Sequence, residues 1–143
     1  LGRSKEKLKS LETEIGIFGD CMRDLHKRGV RVLPGGDYGA FITSPQGENA
    51  KDLEIFTELF GFTPMEVIVA ATRQGADLMG MGGQTGQVRA GFLADLVVLD
   101  GDPIADIRIF QDPDKIVGVM KGGVFARRQA ALSRAGGPMR KTA

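Results

Sequence analysis

The sequence is poor in the residues that build covalent or self-contained metal sites: its 143 residues hold one cysteine, Cys21, and one histidine, His26. A lone cysteine excludes an internal disulfide and leaves a reducing compartment, the cytoplasm, as the expected setting. Metal sites need several converging ligands, so a lone histidine argues against one built on histidines here. His26 sits among Asp24, Lys27 and Arg28 and reads as a solvated surface side chain. Formal net charge is only +1, so the molecule has no overall field that would select nucleic acid or an anionic membrane. No run of about eighteen apolar residues occurs, so no membrane-spanning helix is expected. The chain opens Leu1-Gly2-Arg3-Ser4-Lys5, without an initiator methionine or the apolar heart of a signal peptide. It is expected to be a piece of something longer.

What is plentiful is glycine, 21 residues, which favours a loop-rich α/β chain over a helical bundle. The length suffices for one modest domain with its own core. Leu8, Leu11, Ile15, Phe18, Met22 and Leu25 step by threes and fours, predicting a helix from about Lys5 to Arg28. Ser4 is placed to cap its start and Gly29 to follow its end, while Gly16 is a possible break. Cys21 flanks the stripe as a small packing residue.

Next comes the stretch Val30-Arg31-Val32-Leu33-Pro34-Gly35-Gly36-Asp37-Tyr38-Gly39. Its first part alternates and is β-branched, predicting a short buried strand that Pro34 ends. The glycines then allow a sharp turn or a close approach to a ligand. Asp37 is thereby delivered to the carboxyl end of a strand, where α/β barrels keep catalytic residues. On local pattern alone, an aspartate in a glycine-rich turn is more often just a turn former that hydrogen-bonds its own backbone.

Ala40 to Glu48 reads as a loop, and Asn49 as the cap of a helix running to about Phe60 and closed by Gly61. Thr63-Pro64-Met65-Glu66 is a capping box with proline at the first helical position. It opens a second helix through Ala71 that Gly75 interrupts, and Ala76 to Met81 is a further short turn. Gly80-Met81-Gly82-Gly83-Gln84-Thr85-Gly86 resembles a phosphate loop in composition only. Such loops follow a strand and open a helix, whereas here a helix precedes, so a linker is expected. Gln87-Val88 and Ala94–Leu99 are predicted strands, Asp102 a turn residue without the companions a calcium loop needs, and Ile104–Phe110 a helical turn. Lys115–Met120 and Val124–Phe125 pair as a hairpin across Lys121-Gly122-Gly123. The basic residues from 128 onward are expected to be disordered; with no interleaved aromatics they carry no nucleic-acid signal.

Three segments in this order resemble the C-terminal third of the amidohydrolase superfamily, especially the branch related to imidazolonepropionase. They are Gly29–Gly39, Gly61-Phe62-Thr63-Pro64-Met65-Glu66 through Thr72, and Gly86-Gln87-Val88-Arg89-Ala90-Gly91-Phe92-Leu93-Ala94-Asp95 through Pro103. The match covers roughly residues 15 to 127. The resemblance implies an α/β fragment: the C-terminal part of a TIM-like (β/α)8 metal-dependent hydrolase barrel, with C-terminal strands of a composite β-sandwich. Residues 1–82 would end the barrel, 83–127 would supply sandwich strands, and 128–143 would be the tail.

By the same resemblance Val30–Pro34 is the eighth barrel strand. Asp37 is its catalytic aspartate, touching a divalent metal (zinc is expected) and moving a proton from water to the leaving nitrogen. Gly36 and Tyr38 are the substrate-binding neighbours. The implied reaction is hydrolysis of a C–N bond in a non-peptide amide, cyclic amide or acyl-amino-acid-like small molecule. The family's His-x-His pair and later histidines have no counterpart here, and one aspartate cannot hold a zinc that takes about three protein ligands. A truncated, non-catalytic binding or oligomerising chain is the alternative. Its unpaired strand edges and uncovered helix face predict self-association, unless the missing N-terminal part or another copy covers them.

Overall fold

The computed structural model describes residues 2–39 and 46–129. Most of the loop expected from Ala40, and the tail beyond Gln129, lie outside the described residues.

The first element, α1 (Gly2–Lys27), is one unbroken helix of 26 residues. Gly16 does not interrupt it, and Ser4 falls inside it. Its end is set by Gly29, at φ +77°, where Val30 N–H donates to Leu25 O at 3.0 Å and Gly29 N–H to His26 O at 2.9 Å. That is a Schellman closure, in which glycine takes the left-handed position. Leu8, Leu11, Ile15 and Phe18 remain 45–57 % exposed, so the apolar stripe is covered only toward the helix C-terminus. Cys21 is exposed, contrary to its expected packing role, because nothing among the described residues lies against that face.

Residues 30–37 belong to no helix and have no ladder partners among the described residues. The expected strand at Val30–Pro34 is therefore not formed as a strand. A ladder needs hydrogen bonds from a neighbour, and the sheet of this chain lies elsewhere. Val32 nevertheless packs against the core.

The helix α2 (Lys51–Glu58) has Ala50 at its N-cap with no side-chain cap, correcting the assignment of Asn49. Thr63 caps α3 (Pro64–Val69) through the expected box. The chain then continues without a break through a π-helical turn, Ala70–Gln74, into α4 (Gly75–Leu78). Gly75 keeps helical angles (φ −61°, ψ −43°); its cost of about 1 kcal/mol against alanine is tolerated, not disruptive. Gly86 is required where the following loop crosses this helical run. At φ +83° a Cβ there would lie 2.7 Å from Ala76 Cβ and 2.8 Å from Thr72 O. The glycine-rich stretch thus serves as a connection whose close approach falls at its end, at Gly86, while Gly80 and Gly83 face open space.

Three antiparallel strands complete the chain: β1 (Leu96–Leu99), β2 (Ile116–Lys121) and β3 (Val124–Arg128), in spatial order β1-β2-β3. Leu96 pairs with Met120, and Lys121 with Val124 across the predicted hairpin. Asp95 pins that hairpin to β1 by accepting from Gly122 N–H at 2.7 Å and Lys121 Nζ at 2.9 Å. Gln87-Val88 forms no strand; Val88 is 90 % exposed, with no ladder partner among the described residues. The expected helical turn is a 3-10 segment, Ile107–Gln111, whose Ile107 and Phe110 close the core from the sheet side.

The core is small and aromatic: Phe56, Phe60, Phe62, Val67 and Ile107, with Met22, Leu53 and Leu59 among the side chains packed around it. Phe56 touches Phe60 (5.0 Å, 63°) and Phe62 (5.1 Å, 59°) in the tilted arrangements aromatic quadrupoles favour. No described helix is long and apolar enough to cross a membrane.

Candidate functional site

The run from Val30 rests on the aromatic core through Val32 and leads into the turn that carries Asp37. Asp37 has φ +52°, the left-handed region, and is the one non-glycine residue with positive φ among the described residues. Aspartate tolerates that conformation better than most side chains, yet it remains an uncommon one. The Asp37 side chain is exposed, and among the described residues no hydrogen bond or ion pair ties it down.

The residues beside it are tightly held. The Tyr38 hydroxyl donates to Asp52 Oδ1 at 2.9 Å, reaching from the turn to the first turn of α2. Asp52 is 9 % exposed and is the buried charged residue of the core region. Gly36 lies between them: a Cβ there would strike the Tyr38 ring and come within 2.7 Å of Asp52 Oδ1. Glycine is therefore demanded by close approach. Burial, then the hydrogen bond and negative charge of Asp52, with Glu48 adding to the field, push the Tyr38 phenol up to about 12. Around neutral pH Tyr38 is thus a fixed donor. On the core side an apolar groove of about 250 Å³ runs past Phe18, Met22, Val32, Gly36, Asp52 and Phe60.

A second cluster lies at the C-terminal end of α1. His26 is not simply solvated: its ring stacks on Phe62 (3.8 Å, 20°), and its Nε2 is 3.6 Å from Glu66 Oε1. The helix period placed it on the polar side, but the Gly61 turn swings Phe62 beneath it. Glu66 is held below the ordinary carboxylate range, first by the Thr63 N–H and hydroxyl and then by His26. The cleft above, about 400 Å³, includes His26, Arg31, Met65, Glu66 and Gln74 in its walls.

Of the residues expected to form the site, Gly36, Asp37 and Tyr38 come together in one turn. Asp52, to which that turn is fastened, was missed. Its only sequence signal is an acid in the first turn of a helix, which ordinarily means a solvated charge on the helix dipole. Among the described residues no three of His, Cys, Asp and Glu converge in a way that could hold a metal ion. A zinc takes about three protein ligands, so Asp37 offers at most one, and the described residues do not by themselves fit the metal.

A carboxylate in a glycine-flanked turn, followed by helices and a three-stranded antiparallel sheet, makes this a mixed helix/sheet fragment. The sequence model of the amidohydrolase family matches residues 20–126, and the chain belongs to that family. It is similar to ochratoxinase of Aspergillus niger, 39 % identical over 100 residues that make up 68 % of this chain and 19 % of that protein. The crystal structure of A. niger ochratoxinase superimposes with a TM-score of 0.67 at 34 % identity, covering 77 % of this chain and 25 % of the other. Imidazolonepropionase of Ralstonia nicotianae is 32 % identical over 85 residues, 59 % of this chain and 21 % of that one. A Xaa-Pro dipeptidase with bound methionine in its active site superimposes at a TM-score of 0.68 and 29 % identity, covering 76 % and 25 %. The chain thus spans about a fifth of the length of the curated relatives it matches.

Proposed function

We propose that this chain is the C-terminal part of a metal-dependent amidohydrolase that cleaves a C–N bond in a small molecule, with Asp37 as its proton-handling carboxylate. The observation that carries the reading is the left-handed turn at Asp37, held by Gly36 and Tyr38 inside the segment that matches the family. Backbone strain of this kind costs of order 1–3 kcal/mol and gathers at functional sites. In this reading Val30–Pro34 becomes the last strand of a (β/α)8 barrel once other strands flank it. The sheet β1–β3 joins a small sandwich, and Gly36 and Tyr38 border the substrate.

The chemistry asked of Asp37 is modest. It accepts a proton from the attacking water and returns it to the leaving nitrogen, a contribution of about 10²–10⁴ in rate. The family is generally metal-dependent, and zinc is the proposed metal; ligands beyond Asp37 would come from the rest of the protein. The substrate search starts from acyl-amino-acid-like amides and, from the Xaa-Pro dipeptidase likeness, from Xaa-Pro dipeptides. Partners beyond the small-molecule substrate are the remaining barrel or a second copy, not nucleic acid or membrane, in a reducing cytoplasm. In the assembled enzyme Asp37→Asn should lower kcat by about 100-fold or more, and an unchanged rate overturns the assignment.

A second reading is favoured by the absence of a converging metal cluster among the described residues and by the uncovered stripe of α1. In it the chain is a non-catalytic binding or oligomerising piece. Metal analysis and a hydrolase assay on the chain alone test it: stoichiometric zinc with turnover rejects it.

A further inference from the structure

We propose that Asp52 is the positioning residue of this site, locking the Gly36–Tyr38 turn so that the Asp37 carboxylate is held outward in one conformation. The proposal rests on the reading that Asp37 acts on the substrate. Asp52 itself is turned away from solvent and touches the turn, not the open side where Asp37 projects.

Three observations meet at Asp52. It is a carboxylate 9 % exposed, a placement that costs free energy unless hydrogen bonds compensate it. Its partner is Tyr38, through a bond of 2.9 Å that spans from the turn to α2. The backbone of Gly36 passes so close that a Cβ would come within 2.7 Å of its Oδ1. The turn is therefore clamped on both sides of Asp37: by a glycine lying against the carboxylate before it, and by a phenol anchored to the same carboxylate after it.

The clamp answers what Asp37 lacks. Its own side chain has no partner among the described residues, and its φ of +52° is an uncommon state for a free loop residue. Holding the neighbours fixes where the Asp37 Cα–Cβ bond points without spending either Asp37 oxygen on a structural contact. Both oxygens stay available for water and leaving group. Catalytic groups need such support, because a displacement of about 1 Å can cost 10²-fold in rate.

The acceptor must be an oxygen, but the clamp does not require it to be charged. In the assembled enzyme, assayed on N-acyl amino acids and Xaa-Pro dipeptides, Asp52→Ala and Tyr38→Phe should each lower kcat roughly 10- to 100-fold with little change in KM. The double variant should be no worse than either single one, because both remove one bond. Asp52→Asn keeps a carbonyl oxygen for Tyr38 and should restore most of the rate. A second readout needs no substrate. Tyr38 is the sole tyrosine of a chain without tryptophan, so emission from the 143-residue chain reports the phenol–carboxylate bond directly. Asp52→Ala should raise it and Asp37→Asn should leave it unchanged. Unaltered emission in Asp52→Ala, independent additive losses in the pair, or an Asn variant as slow as Ala each overturn the proposal. If Asp37→Asn retains full rate, the catalytic reading itself fails. If Asp37→Asn is inert while Asp52→Ala and Tyr38→Phe turn over normally, only the clamp fails.

Discussion

Residues 61–69 and residues 30–37 flank the same aromatic core and differ in what completes them. The first stretch closes on itself: Thr63 N–H and hydroxyl both donate to Glu66 Oε2, at 2.8 and 2.7 Å, while Glu66 N–H donates back to the Thr63 hydroxyl at 3.3 Å. The partners within the box lie three residues apart. The second has an apolar anchor, Val32 on the core, and polar anchors only at its ends, Val30 N–H on Leu25 O and, just beyond it, Tyr38 on Asp52, with an open backbone between them. A capped helix carries its hydrogen-bond partners in its own sequence; a strand borrows them from another segment. The proposed catalytic aspartate sits on the borrowed side of that divide.

The largest test of the contrast removes the shared support. Phe56 touches Phe60 and Phe62 and is 6 % exposed, and Phe56→Ala should destabilise the chain by about 3–5 kcal/mol. Chemical denaturation gives the size of the loss, and amide exchange under native conditions gives its distribution. Exchange at Val30, whose N–H donates to Leu25 O at 3.0 Å, should become as fast as in an unstructured peptide, while the amides of α3 keep residual protection from their local cap. Equal loss of protection in both stretches would erase the distinction drawn here.

The same divide explains which features were written in the sequence. The capping box, the hairpin across Lys121-Gly122-Gly123 and the glycine end of α1 rest on signals a few residues apart, and each formed as expected. The strand at Val30–Pro34 and the one at Gln87-Val88 carried the right residue types but depended on neighbours from elsewhere. At the site, the glycine-flanked Asp37 could be singled out because three ordered segments resemble the amidohydrolase family. Asp52 could not, since an acid in the first turn of α2 has the same local pattern whether it faces water or a phenol 14 positions earlier. His26 was misplaced for a similar reason: helical period predicts a face, not that Phe62 from the next turn will stack on it.

Two smaller perturbations sharpen the local side of the comparison. Thr63→Ala removes the cap hydroxyl and should cost about 1 kcal/mol, measurable as a reduced denaturation midpoint, with exchange at the Val30 amide unchanged if the box is as self-contained as its bonds indicate. A slackening of the distant stretch would show that the box also supports the site, through His26.

The smallest effect is electrostatic, and its sign follows from Glu66. The Thr63 N–H and hydroxyl, with His26 beside them, favour the charged carboxylate and hold it below its ordinary value of 4.5. As pH falls, the unfolded chain takes up this proton before the folded one does. The stabilisation is therefore complete above about pH 4.5 and drains away as pH descends through the lower folded value. Glu66→Gln keeps an oxygen for the box but no charge. It should be slightly less stable than the parent at neutral pH, with the gap closing as acid neutralises the parent's carboxyl. Half the Glu66 side chain is open to solvent (49 %), so screening keeps the gap small, and added salt should narrow it further. Melting curves of parent and variant across this range decide the point: a gap that stays constant into acid would mean the contribution of Glu66 is its shape, with the charge incidental.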